Sequence, residues 1–149
     1  MPRPPAARTP REVLARFHQA MRDKSADDLA DLYAEDGVHE FPFAFPGFPE
    51  RYEGRERVRE GYRATWGSSP VRVREVRSVA VHEDPGAGTL VAEHVVVAET
   101  PGADGTFTIP GLLVLHVRDG RLVRVRDYMD GLGVARARGL LHEDATTPN

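Results

Sequence analysis

Asp119-Gly120-Arg121-Leu122-Val123-Arg124-Val125-Arg126-Asp127-Tyr128-Met129-Asp130 is the stretch on which the reading of the fold turns. Asp119-Gly120 between two apolar runs predicts a two-residue hairpin turn, because both central positions of such a turn need positive φ. The residues after it alternate as a strand does. Val123, Val125, Asp127 and Met129 fall on one face, and Leu122, Arg124, Arg126, Tyr128 and Asp130 on the other. Two arginines mark the second face as the wetter one, which sends Asp127 inward with the valines. A carboxylate on an apolar face is costly to bury unless it is paired or hydrogen-bonded. Asp127 therefore either caps or pairs with a structural partner, or stands in a pocket.

Working outward, the pattern before this hairpin is a series of Val-rich runs separated by turn residues. Val71 to His82, Thr89 to Glu99, Thr106 to Arg118 and Leu122 to Met129 read as four long antiparallel strands. Upstream of Gly67-Ser68-Ser69-Pro70 the period is helical. Thr9-Pro10-Arg11-Glu12 has the form of a capping box with proline at the first helical position. Val13, Leu14, Phe17, Ala20 and Met21 follow on one face. A second helix is expected from Ser25, with Leu29, Leu32 and Tyr33 as its buried stripe and Glu35-Asp36-Gly37 as its stop. A short extended segment spans Val38 to Phe43, and a third helix Arg55 to Trp66, with Val58, Tyr62 and Trp66 on one side. A last short helix or coil covers Gly131 to Leu141. Helices followed by antiparallel strands predict an α+β fold in which one curved, mainly antiparallel sheet wraps three N-terminal helices as a cone. Its mouth is a usual place for a small-molecule site. Residues 1–8 read as a disordered arm, 9–141 as a single domain and 142–149 as a flexible tail.

Composition narrows the function classes. The 149 residues are 40% hydrophobic and 29% charged, with a formal net charge of -3, so the overall field offers nothing to a nucleic acid. Nineteen of the twenty basic residues are arginine and Lys24 is the one lysine, which reads as codon bias in a GC-rich bacterial genome. The absence of cysteine removes disulfides, thiolate metal sites and a Cys nucleophile together. No run approaches the roughly 18 apolar residues of a membrane span, and no signal-peptide pattern follows Met1, so the chain is expected to be soluble and cytoplasmic.

Leu32-Tyr33-Ala34-Glu35-Asp36, His39-Glu40-Phe41-Pro42-Phe43, Gly54-Arg55 and the Asp-Gly hairpin running into Arg126-Asp127-Tyr128-Met129-Asp130 together resemble the SnoaL-like branch of the nuclear transport factor 2-like superfamily. The resemblance covers about residues 10–135. It implies the cone-shaped fold, dimers made through the outer sheet face, and relatives among ketosteroid isomerases, limonene epoxide hydrolases and polyketide cyclases. The ketosteroid isomerase pattern is not kept. Its tyrosine position falls on Phe17, its base on Phe41 and its acid on Leu112 or Leu113. Of the epoxide hydrolase pattern, Asp127 matches the water-activating acid, while the other four positions fall on His39, Phe41, His94 and Val96.

Residue by residue, His94 shares a strand face with Ala92, Val96 and Ala98, and His39 shares one with Phe41. Each is a core histidine or a pocket one. If His94 faces Asp127, the carboxylate fixes one ring tautomer and leaves the other nitrogen as acid or base. Asp127, His94 and His39 are thus the catalytic candidates. Phe17, Phe41, Phe43, Tyr62, Trp66, Val96, Leu113, Val125 and Met129 are the candidate substrate wall. His18, His82 and His142 read as solvated. No metal spacing and no Gly-rich phosphate loop are present, so no metal or cofactor is expected. Expected partners are a hydrophobic small molecule and a second copy across the face carrying Leu112 and Val114, with no nucleic acid and no membrane. The functional expectation is a cofactor-independent cyclase, isomerase or hydrolase acting by acid–base chemistry in secondary metabolism. The alternative is a non-catalytic ligand-binding or dimeric interaction module of the same fold.

Overall fold

The computed structural model describes residues 6–43 and 47–139. Met1–Pro5 of the expected arm and the whole expected tail, His142 included, lie outside them.

Helix α1 (Pro10–Asp23) begins on the expected capping box: the Thr9 hydroxyl accepts from the Glu12 amide at 3.2 Å, and the Glu12 carboxylate from the Thr9 amide at 3.4 Å. It ends at Lys24, whose φ of 51° is left-handed and costly for a residue with a Cβ. Its buried face is Val13, Leu14, Phe17 and Ala20, and it also takes in His18, only 8% exposed. The expectation that His18 is solvated is corrected: it packs between α1 and the sheet, edge-on to His94 at 5.5 Å.

Helix α2 (Ala26–Ala30) is capped by Ser25 and is much shorter than the sequence pattern suggests. Leu32 and Tyr33 are buried as expected, but not on a helix, because β1 (Tyr33–Glu40) has already begun. The Leu122 amide donates to the Leu32 carbonyl at 2.8 Å, starting a parallel pairing that draws this segment into the sheet. Strand β2 (Arg51–Glu53) pairs antiparallel with β1, and helix α3 (Arg55–Ser68) follows. Arg59 on α3 ties α2 down through ion pairs to Asp27 and Asp31, each at 2.8 Å.

Strands β3 (Arg72–Asp84), β4 (Thr89–Glu99), β5 (Phe107–Arg118) and β6 (Arg121–Met129) form the expected antiparallel run. The sheet has six strands in the order β2-β1-β6-β5-β4-β3. Among the described residues only the β1–β6 pairing is parallel. Register shifts interrupt β1, β3 and the β5–β6 ladder. Such bulges bend a sheet, and here they curve it around α1 and α3.

One bulge alters the expected alternation. His116 pairs with Arg124 and Val117 with Leu122, so Val123 has no residue opposite it. Leu122 is therefore fully buried, while Val123 lies on the outer side with Arg124 and Arg126. Beyond the bulge the expected faces hold, and Val125 and Asp127 point inward. The core joins Phe17, Leu29, Tyr33, Val58, Leu90, Ala92, Leu113, Leu115, Leu122 and Val125. Helix α4 (Gly131–Ala137) closes the described chain, its first turn capped by Asp130.

Candidate active site

Between α1, α3 and the concave side of the sheet lies a cavity of about 170 Å³. Its wall is mostly apolar: Phe17 and Met21 from α1, Phe41 and Phe48, Trp66, and Val96, Ile109, Leu113 and Met129 from the sheet. The polar groups that reach it include Tyr62, His94 and Asp127.

Asp127 is held by a short chain of buried groups. The His39 Nε2 lies 3.1 Å from Asp127 Oδ2, and the Tyr62 hydroxyl donates to the same oxygen at 3.2 Å. Tyr62 also stands 2.9 Å from the His39 Nε2. On the far side of the ring, the Tyr33 hydroxyl is 2.6 Å from His39 Nδ1. His39 and Tyr33 are both fully buried.

Hydrogen-bond bookkeeping then selects the tautomer. Burial, reinforced by the Asp127 charge, raises the Tyr33 pKa well above the usual phenol value, so Tyr33 keeps its proton. Among the described residues its one acceptor within reach is Nδ1, so Nδ1 is bare and the proton sits on Nε2, facing Asp127. Tyr62 is likewise pushed well up, first by burial and then by Asp127, and remains a donor. Asp127 Oδ2 thus accepts from two directions. Among the described residues Oδ1 takes no hydrogen bond.

His94 stands apart from this chain. Asp127 pairs across β5 with Leu113, and Leu113 with Ala92. His94 belongs to the next inward row, with Gly111 and Met129. Two strands of lateral separation and two residues of offset put the two Cα atoms about 12 Å apart. The anticipated His94–Asp127 hydrogen bond is therefore replaced by His39–Asp127. Both histidines do line or back the cavity, on different sides. His94 is 4% exposed, and its Nδ1 has no hydrogen-bond partner among the described residues. Burial lowers its pKa and the Asp127 charge partly restores it. Gly111 makes room for this ring: a Cβ there would fall 2.8 Å from His94 Nε2.

Of the expected wall, Phe17, Phe41, Tyr62, Trp66, Val96, Leu113 and Met129 line the cavity. Val125 does not, since it is 0% exposed and packed in the core beneath. Phe43 does not either. It is 63% exposed and rests edge-on against Tyr128. The sequence reading missed Tyr33 as a site residue, having placed it on a helix. Lys24 and Arg138 also reach the cavity unforeseen.

The buried imidazoles make stability depend on pH. Burial, then His94, then Arg22 lower the His18 pKa from 6.5 to about 4. Between those values the unfolded chain binds a proton that the folded chain refuses, so stability falls as pH drops from 6.5 towards 4. Below that His18 adds no further loss. The cost is on the order of 3 kcal/mol. Urea midpoints measured from pH 7 to 4.5 should fall for the parent and flatten for His18→Leu. An equal slope in both proteins contradicts the assignment.

The comparisons agree with this architecture. Residues 14–125 match the family model described as a SnoaL-like domain. The chain is 29% identical over 133 residues to the uncharacterized protein YesE of Bacillus subtilis, covering 86% of each. The crystal structure of a Bacillus subtilis protein provisionally called an isomerase superposes with a TM-score of 0.75 at 28% identity, over 86% of this chain and 91% of that one. A Catenulispora acidiphila protein with a ketosteroid isomerase-like fold, crystallised with trimethylamine, superposes with a TM-score of 0.67 at 21% identity, over 89% of this chain and 95% of that one. Three-quarters of the sequence falls within the matched region, with most of the cavity wall, His39 and Tyr62 inside it and Asp127 and Met129 beyond it. The chain belongs to the SnoaL-like domain family.

Proposed function

We propose that this protein catalyses proton transfer on an apolar small molecule, with Asp127 as the base and no cofactor in the step. The observation that carries the reading is the hydrogen-bond chain Tyr33–His39–Asp127, joined by Tyr62, which ends on a carboxylate in an apolar cavity. Asp127 Oδ1 takes a proton from an acidic carbon, or from a water that then attacks. His39 Nε2–H and the Tyr62 hydroxyl fix the carboxylate plane by holding Oδ2. His94, kept neutral by burial, offers a ring nitrogen on another wall to an oxygen that gains charge. Enolisation, double-bond migration, aldol-type cyclisation and water addition all need this pair of groups, and all occur in the biosynthesis of hydrophobic metabolites.

A ketone probe tests this without the natural substrate. In heavy water the protein should speed deuterium entry at the α-carbon of 2-tetralone, saturably and above the buffer rate. If 2-tetralone binds, as reported by the fluorescence of Trp66, yet exchanges at the buffer rate, the non-catalytic binding reading replaces this one.

A homodimer through the outer sheet face is also proposed. Val91, Val95, Val97 and Leu112 stand half-buried there beside Val114. Such an apolar strip on a curved sheet favours a self-complementary contact. Sedimentation velocity should give a dimer for the parent and a monomer for Leu112→Glu. A monomeric parent rules the contact out.

A further inference from the structure

The cavity carries positive charge as well as the carboxylate, and the two sit at different ends. Lys24 Nζ donates to the Ser69 carbonyl at 2.8 Å and to the Val71 carbonyl at 2.9 Å. Arg138 donates to Ser68 Oγ at 3.0 Å. Both cations are thereby tied to the one turn between α3 and β3, and both line the cavity. They are close enough that Arg138, after burial, helps lower the Lys24 pKa. Asp127 lies on β6, three strands away from β3, the strand that follows this turn.

Neither cation has a carboxylate partner among the described residues, although the chain holds 23 acidic residues. Other cations of the molecule do find one. Arg11 pairs with Glu83, Arg59 with Asp27, Asp31 and Glu56, Arg74 with Glu99, and Arg124 with Glu40. Each cation keeps donors to spare: Lys24 has a third N–H, and the Arg138 guanidinium several more. Both side chains are partly exposed, so the pair stands without a counterion and can still meet an anion that enters the cavity. The left-handed backbone at Lys24, where glycine is the easier residue, sets the start of this side chain beside the turn.

We infer that the ligand is an amphipathic anion, an apolar body with one carboxylate-class group, whose charge is held by Lys24 and Arg138 while its far end reaches Asp127. This rests on the proposed function of the same cavity and adds an orientation to it. The opposite placement would set two carboxylates against each other at Asp127. With the charge on Lys24 and Arg138, the reacting carbon of the ligand is uncharged and distant from its own anion.

The test uses 2-naphthoate and its neutral isostere 2-naphthamide, titrated calorimetrically into the full chain at low salt. The parent should bind the naphthoate at least tenfold more tightly, with the gap narrowing as salt screens it. Arg138→Gln and Lys24→Met should each reduce that preference several-fold while leaving naphthamide affinity within twofold, which also shows that the cavity is intact. Arg138→Gln is the safer variant, because Lys24 also holds two backbone carbonyls. Equal affinity of the parent for both probes overturns the anion assignment while leaving the cavity reading standing. So does a naphthoate preference that survives in both variants. If neither probe binds, the cavity reading and the anion assignment fail together.

Discussion

Replacing Asp127 with asparagine is expected to lower proton-transfer rates about 10²- to 10⁴-fold, the range a positioned general base contributes. Affinity for a neutral ligand should stay within a few-fold. The separation follows from the geometry. Asparagine has the same shape, and its amide oxygen still accepts from the Tyr62 hydroxyl and His39 Nε2 at the Oδ2 position. Its amide nitrogen then occupies the Oδ1 position, where it has no lone pair to take a proton. The wall that binds the ligand, Phe17, Phe41, Trp66 and Leu113, is untouched. A variant that lost rate and neutral-ligand affinity equally would instead mark Asp127 as a residue that shapes the cavity.

His39→Leu should damage both stability and rate. Leucine fills much of the ring's volume but offers no acceptor, which leaves the fully buried Tyr33 hydroxyl without its partner. An orphaned buried donor costs about 1–3 kcal/mol. Asp127 also loses one of its two donors, and a freed carboxylate can swing out of line. Misplacement of a reacting group by about 1 Å can cost about 10²-fold in rate. The pair of variants His39→Leu and Tyr33→Phe separates the two effects. Removing both partners should recover part of the stability lost by His39→Leu, since neither polar group is then stranded. Rate should not recover, because Asp127 still lacks its imidazole. Urea midpoints and 2-tetralone exchange on the three proteins measure this. Strictly additive losses in stability would show that Tyr33 and His39 are not coupled.

Most of the fold was legible in the sequence, because its signals are local. The capping box at Thr9, the turn at Asp119-Gly120 and the Val-rich alternation each name their element without knowledge of the rest. What failed depended on distant partners. Tyr33 sits in a stretch whose spacing suits a helix, and only the parallel pairing with β6 makes it a strand. Val123 obeys alternation on paper, but a bulge in the β5–β6 ladder sets it outside.

The site divides along the same line. Asp127, His39 and His94 could be placed on the inner face by period alone. Which histidine meets Asp127 could not, because the answer lies in strand order: β1 is the neighbour of β6, and β4 lies two strands away. Phe43 and Val125 show a further limit, since an apolar residue near a cavity in sequence can face solvent or the core beneath.

The central claim is that Asp127, aimed by His39 and Tyr62, removes a proton from a ligand in the cavity. Deuterium incorporation into 2-tetralone, measured for the parent and Asp127→Asn at concentrations that saturate Trp66 fluorescence, tests it most directly. The account predicts fast, saturable exchange in the parent and exchange near the buffer rate in the variant, with similar ligand affinity. Equal exchange by the two proteins at saturation would contradict it.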